Sequence, residues 1–131
     1  MQTSPDPLCI VIADNRETAD GLHEYLNKAG FATRTSRRLQ DAGALCSNAT
    51  ALVLFPDAFD ERDVIASVSA LRAKNPRLLL LIVTATPLRL RACCESEPHS
   101  LRPVVLPKPA FGWSLLDAIR EHERVTSLVR P

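Results

Sequence analysis

Four short apolar runs limit what this chain can fold into. They are LCIVIA (8–13), ALVLF (51–55), LLLLIVT (78–84) and PVVL (103–106). Apolarity sustained over a strand's length means burial on both faces, as in the inner strands of a parallel sheet. A fifth segment, FATRTS (31–36), is partly polar and suits a sheet edge. Helical spacing fills the intervals. NRETADGLHEYLNKAG (15–30) puts Ala19, Leu22, Leu26 and Ala29 on one face and stops at Gly30. RRLQDAGALCSN (37–48) reads as a short helix with Leu39, Ala42 and Cys46 inward. Asp60 is placed to cap a helix whose first turn holds Glu61 and Asp63 and whose stripe is Val64, Ile65, Val68 and Leu71. That helix ends before Asn75-Pro76. Residues 87–96 form a short helix carrying Leu88 and Leu90, and a last helix over about 111–125 turns Leu115, Leu116 and Ile119 inward. Five β–α units predict an α/β fold: a doubly wound five-stranded parallel sheet flanked by five helices.

The chain has 131 residues, which suits a single domain. A formal net charge of +1 gives no pull toward nucleic acid or anionic membrane, and the arginines are not interleaved with aromatics. No apolar run reaches the ~18 residues that span a bilayer. MQTSPDP has no basic leader segment. Cys9 and Cys46 fall in apolar contexts, and adjacent Cys93 and Cys94 do not suit one ordinary bridge. Reduced thiols and a cytoplasmic location are therefore expected. Cys93, Cys94 and His99 lack C-x-x-C spacing, so a short helix explains the cysteines better than a metal site does.

In open parallel sheets, ligands sit beyond the carboxyl ends of the strands, where strand order reverses. Those ends supply Asp14 and Asn15 after the first strand, Pro56 and Asp57 after the third, Thr84 at the fourth and Lys108 after the fifth. A carboxylate, a hydroxyl and an ammonium are thus expected to converge on one crevice.

At these residues the chain resembles the receiver domain of two-component response regulators, over about residues 8–124. IVIADN resembles the family's first strand and acidic pair, and KAGFATRTS the entry to its second strand. LLIVTAT resembles the fourth strand with its hydroxyl residue, and LPKPAFGWSLLDAI the Lys-Pro motif leading into the last helix. The resemblance implies a flavodoxin-like sheet of strand order 2-1-3-4-5. It also implies an acidic pair and a strand-end aspartate that together bind Mg²⁺. That aspartate accepts a phosphoryl group from a partner histidine, and a hydroxyl and a lysine engage the phosphoryl oxygens. A hard cation takes oxygen ligands, and metal and ammonium offset the charge of the transferring group.

Only part of that set is present. Asp14 matches the second acid of the pair, with Ala13 at the first; Thr84 and Lys108 match the hydroxyl and the lysine. Pro56 stands at the phosphoacceptor position, and Val105 at the aromatic switch position. The loop that follows, DAFDERD, has no glycine. Two expected oxygen ligands are gone, so Mg²⁺ binding and any other cofactor are not expected, and proline offers no nucleophile. Two readings of Asp57 stay open. A bulged loop could return it to the crevice as a shifted acceptor, or it is a solvated loop acid ahead of the Asp60 cap. Asp14 and Lys108 are expected to pair directly across the crevice. Thr84 is expected to hydrogen-bond to backbone. The resemblance implies a cis Lys108–Pro109 peptide.

The function expected from this pattern is a degenerate receiver, or pseudo-receiver, without enzymatic activity. It acts as a phosphorylation-independent protein–protein interaction module. Its partner would be a histidine kinase, an output protein or a second copy, met through the face formed by residues 84–125. Leu88, Leu90 and Trp113 are the candidate apolar contacts on that face. A homodimer is compatible with the sequence but not required by it. The alternatives are a phosphoryl-accepting receiver using Asp57 and a small-ligand sensor using the crevice.

Overall fold

The first apolar run forms β1 (Leu8–Ile12), and Cys9 to Ile12 are fully buried. A computed structural model describes residues 8–89, 103–110 and 112–129. Within them the chain continues through α1 (Arg16–Lys28), β2 (Ala32–Ser36), a 3-10 turn (Leu39–Asp41), α2 (Ala42–Leu45) and β3 (Ala51–Leu54). There follow α3 (Glu61–Lys74), β4 (Leu79–Thr84), β5 (Val104–Pro107) and α4 (Gly112–Val129). The five strands form one sheet in the order β2-β1-β3-β4-β5, and all pairings are parallel. This is the expected doubly wound architecture, with polar β2 at one edge. Pro87, Leu88 and Arg89 are helical. The rest of the predicted helix over 87–96, including Leu90, Cys93 and Cys94, lies outside the described residues, as does His99.

Side chains alternate across the sheet and divide the interior into two layers. Ile10, Ile12, Leu52, Leu54, Leu80 and Ile82 pack under α2 and α3, against Val64, Val68 and Leu71. Cys9, Val11, Val53, Leu81 and Val83 face the opposite way, against Leu26 of α1 and Leu115 and Ile119 of α4. The inner strands are apolar at every position except Thr84, at the end of β4, because each face meets a helix.

Local signals set the helix ends. The Asn15 side chain caps α1 by accepting the Thr18 N–H at 3.1 Å. After α1, Gly30 takes φ +99°, a left-handed conformation that suits glycine at a helix stop. Asp60 caps α3, accepting the N–H groups of Arg62 (2.9 Å) and Asp63 (3.4 Å).

Three expectations are corrected in detail. The helix predicted over 37–48 is only a 3-10 turn followed by one α turn, although Leu39, Ala42 and Cys46 are buried as expected. Gly43 sits in its middle, and Ser36 Oγ donates to Asp41 Oδ2 at 2.6 Å, drawing the chain into a tight turn. Ile65 is 38% exposed, because the inward stripe of α3 runs i, i+4, i+7 through Val64, Val68 and Leu71. The last helix runs to Val129, beyond the predicted end at 125. None of the described helices is long and apolar enough to cross a membrane.

Candidate functional site

Register places the strand ends side by side. Ile12 pairs with Leu54, Leu54 with Ile82, and Thr84 with Pro107, so the segments after β1, β3, β4 and β5 open onto one crevice. Phe55 continues past β3 by donating its N–H to the Ile12 carbonyl at 2.9 Å. Pro56 is buried, and its carbonyl accepts the Phe59 N–H at 2.9 Å, closing a tight turn. Asp57 occupies the next position of that turn. The turn frees it from strand alternation, and its carboxylate points into the crevice.

There Asp57 meets three donors. Thr84 Oγ1 donates to Oδ1 at 2.5 Å, the Ala85 N–H donates to Oδ2 at 2.9 Å, and Lys108 Nζ lies 3.1 Å from Oδ2. Thr84 is fully buried, and its hydroxyl oxygen also accepts the Thr86 N–H at 3.1 Å. The Lys108 N–H donates to the Thr84 carbonyl at 3.1 Å, fixing the exit of β5 beside the end of β4. Partial burial pushes the Asp57 carboxyl's pKa up. The Thr84 hydroxyl, the Ala85 N–H and the Lys108 ammonium outweigh that and hold it below the ordinary carboxylate value.

One sequence expectation is overturned here and another is extended. Lys108 pairs with Asp57 and not with Asp14; Asp14 is exposed, and its backbone carbonyl accepts Arg37 Nε at 3.0 Å. The Thr84 hydroxyl does contact backbone, at Thr86, but its proton goes to a carboxylate. Asp57 is accordingly a partly exposed acid held by three donors and not a free loop acid. The Lys108–Pro109 peptide is cis, as the resemblance implied.

The other expected positions fall as follows. Ala13 is buried beneath the crevice, and Val105 is buried on β5. Leu88 and Trp113 are 75% and 60% exposed. Leu90 lies outside the described residues.

Sequence reasoning missed two features. The Ala85 N–H is a backbone donor, which leaves no signature in residue type. Arg89 forms a two-pronged ion pair with Glu61, at 3.0 Å through Nε and 2.6 Å through the terminal nitrogen. It ties the segment after β4 to the start of α3, beside a second depression of about 370 Å³ that holds Asp57, Thr84 and Thr86. Opposite charges 28 residues apart carry no recognisable spacing.

The residues present offer Mg²⁺ fewer oxygen ligands than the resemblance implies. Ala13 offers no ligand, and both Asp57 oxygens are already committed to donors, one of them cationic. Among the described residues, no group of three or more His, Cys, Asp or Glu side chains is placed to hold a metal.

No protein-family profile matches the chain, and no curated protein matches it in sequence. Solved structures do match in shape. A response regulator receiver domain protein from Clostridium thermocellum superposes with a TM-score of 0.75 at 14% identity, over 95% of this chain and 99% of that one. The signal receiver domain of an HD domain-containing protein from Pseudomonas fluorescens Pf-5 gives 0.76 at 17%, over 92% and 96%. An orphan response regulator of H. pylori gives 0.73 at 17%, over 90% and 98%. At such identities the likeness establishes the receiver-domain fold.

Proposed function

We propose that this chain is a receiver-fold signalling module that works by binding a protein partner, without aspartyl phosphorylation and without enzymatic activity. The observation that supports this reading is the engagement of Asp57 by Thr84, Ala85 and Lys108 within the crevice. Asp57 is paired with Lys108 and accepts hydrogen bonds from Thr84 and Ala85, while Ala13 and Pro56 offer no oxygen ligand where the resemblance implies one. A phosphoryl donor approaching Asp57 would meet a carboxylate already paired with Lys108, with no second cation to offset its charge. The partner is a histidine kinase, an output protein or another copy, meeting the face of residues 84–125 where Leu88 and Trp113 are exposed.

One observation favours a second reading. Asp57 faces a hydroxyl and an ammonium together, the arrangement that the resemblance associates with an acceptor. In that reading Asp57 receives a phosphoryl group from one residue beyond the usual position.

The readings separate on titration with Mg²⁺ and then with beryllofluoride as phosphoryl mimic, following Trp113 fluorescence and the amide spectrum around Asp57. The binding-module reading expects no saturable change at millimolar Mg²⁺ with the mimic. A saturable response lost in Asp57→Asn would overturn it in favour of the second.

A further inference from the structure

Another cavity lies beside the Asp57 cluster and is lined by neither Asp57 nor Thr84. It is a groove of about 760 Å³ between α1 on one side and Lys108–Ala110, Gly112 and Trp113 on the other. That size is within the ~300–1,000 Å³ range of small-molecule sites. Its floor is apolar: Ala13, Val83 and Phe55 come from the strand ends. Its first wall is one face of α1, where Leu22, Tyr25 and Gly21 line it. A β-carbon on Gly21 would meet nothing within 4 Å, so the missing side chain is part of the open space. The opposite wall holds Pro109, Ala110, Gly112 and Trp113. At its end Gly112 approaches the Tyr25 ring so closely that a β-carbon there would lie 3.1 Å from it. Tyr25 and Trp113 keep exposed aromatic surface, at 39% and 60%.

The charge at the mouth is one-sided. Asp14 and Glu17 line the groove, and neither carboxylate has an ion-pair partner among the described residues. Lys108 also lines it, but its charge is offset by Asp57. Aromatic faces attract cations, and attract them more strongly where water is partly excluded. Two unpaired carboxylates add to that field.

We propose that this groove binds a small organic cation, an amine or quaternary ammonium carried on an apolar ring. The ring packs on Ala13, Phe55 and Val83. The cationic head sits between the Tyr25 and Trp113 rings and the Asp14 and Glu17 carboxylates. Asp57 takes no part in it, so it does not depend on whether Asp57 accepts a phosphoryl group, although one wall of the groove lies within the proposed partner face.

The test uses benzyltrimethylammonium as probe, with benzoate and benzyl alcohol as the anionic and neutral counterparts. Trp113 is the chain's single tryptophan, so its fluorescence reports the groove, and amide shifts of Asp14, Gly21 and Ala110 supply a second readout. Expected is saturable binding of the cation, weakened by salt, with benzoate not binding. Gly21→Leu fills the open space and abolishes binding while leaving the thermal midpoint unchanged or higher. A double Asp14→Asn, Glu17→Gln variant weakens the cation about tenfold and leaves benzyl alcohol unaffected. Equal binding of the three probes, no saturable shift with the cation, or unchanged affinity in Gly21→Leu would overturn the proposal. Failure here leaves the beryllofluoride result untouched, so the two readings fail separately.

Discussion

Lys108 Nζ lies 3.1 Å from Asp57 Oδ2, joining the residue after β5 to the turn after β3 across the strand that separates them. That strand, β4, contributes the third member, because the Thr84 hydroxyl donates to the other Asp57 oxygen. Three strand ends are thus fastened by one carboxylate. The pair is partly exposed, with side-chain exposures of 31% for Asp57 and 41% for Lys108, so water screens it and the buried hydroxyl anchors it.

The Asp57 carboxyl titrates below its unfolded value, which fixes the sign of its effect on stability. Its contribution is fully present above about pH 4, the range in which the unfolded aspartate is ionised, and is lost as pH falls through the lowered native value. Asp57→Asn should therefore cost about 1 kcal/mol or less near neutrality, after allowance for screening. The difference from wild type should shrink in acid. Urea unfolding of both proteins across the acid range checks this.

Thr84→Val removes a buried hydroxyl while keeping the shape of the side chain. Asp57 loses a donor and the Thr86 N–H loses an acceptor. The expected loss is about 1–3 kcal/mol. Thr84→Ser keeps both hydrogen bonds and should lose less than Val does. Chemical denaturation of the two variants ranks them.

Asp60→Ala removes the acceptor for two N–H groups at the start of α3. It should destabilise the protein by about 1 kcal/mol, while Asp60→Asn, which retains a capping oxygen, should stay close to wild type. Thermal melts of the two variants check both.

Burial pushes the Cys9 and Cys46 thiols up to about 12, with the Glu123 charge adding to the effect at Cys9. The thiolate is the reactive form. In the native protein at neutral pH both residues should resist maleimide labelling, and unfolding in urea should expose them. Peptide mapping after timed labelling provides the measurement.

Much of the fold is legible because its signals are local. Uninterrupted apolarity marks the inner strands, polar FATRTS marks the edge, and Gly30 and Asp60 mark helix ends by backbone conformation and hydrogen bonding. The site is legible only in its inventory. Asp14, Asp57, Thr84 and Lys108 all come from strand ends, as the topology requires, but the partner of Lys108 depends on a turn. Sequence parity alone turns Asp57 away from the crevice. The hydrogen bond that closes the Pro56–Phe59 turn reverses that, and it joins backbone atoms that residue types do not specify. Ile65 misleads for a related reason: it is apolar, yet it lies one position off the inward stripe of α3.

On the proposed reading, the Asp57–Thr84–Lys108 cluster is structural and does not accept a phosphoryl group. Its most direct test is the intact mass of the folded protein after incubation with Mg²⁺ and a small phosphodonor such as acetyl phosphate, with peptide mapping of any product. Expected is a mass unchanged by the treatment, as for Asp57→Asn treated in parallel. A phosphoryl adduct that maps to Asp57 and is missing from the Asn variant would contradict it.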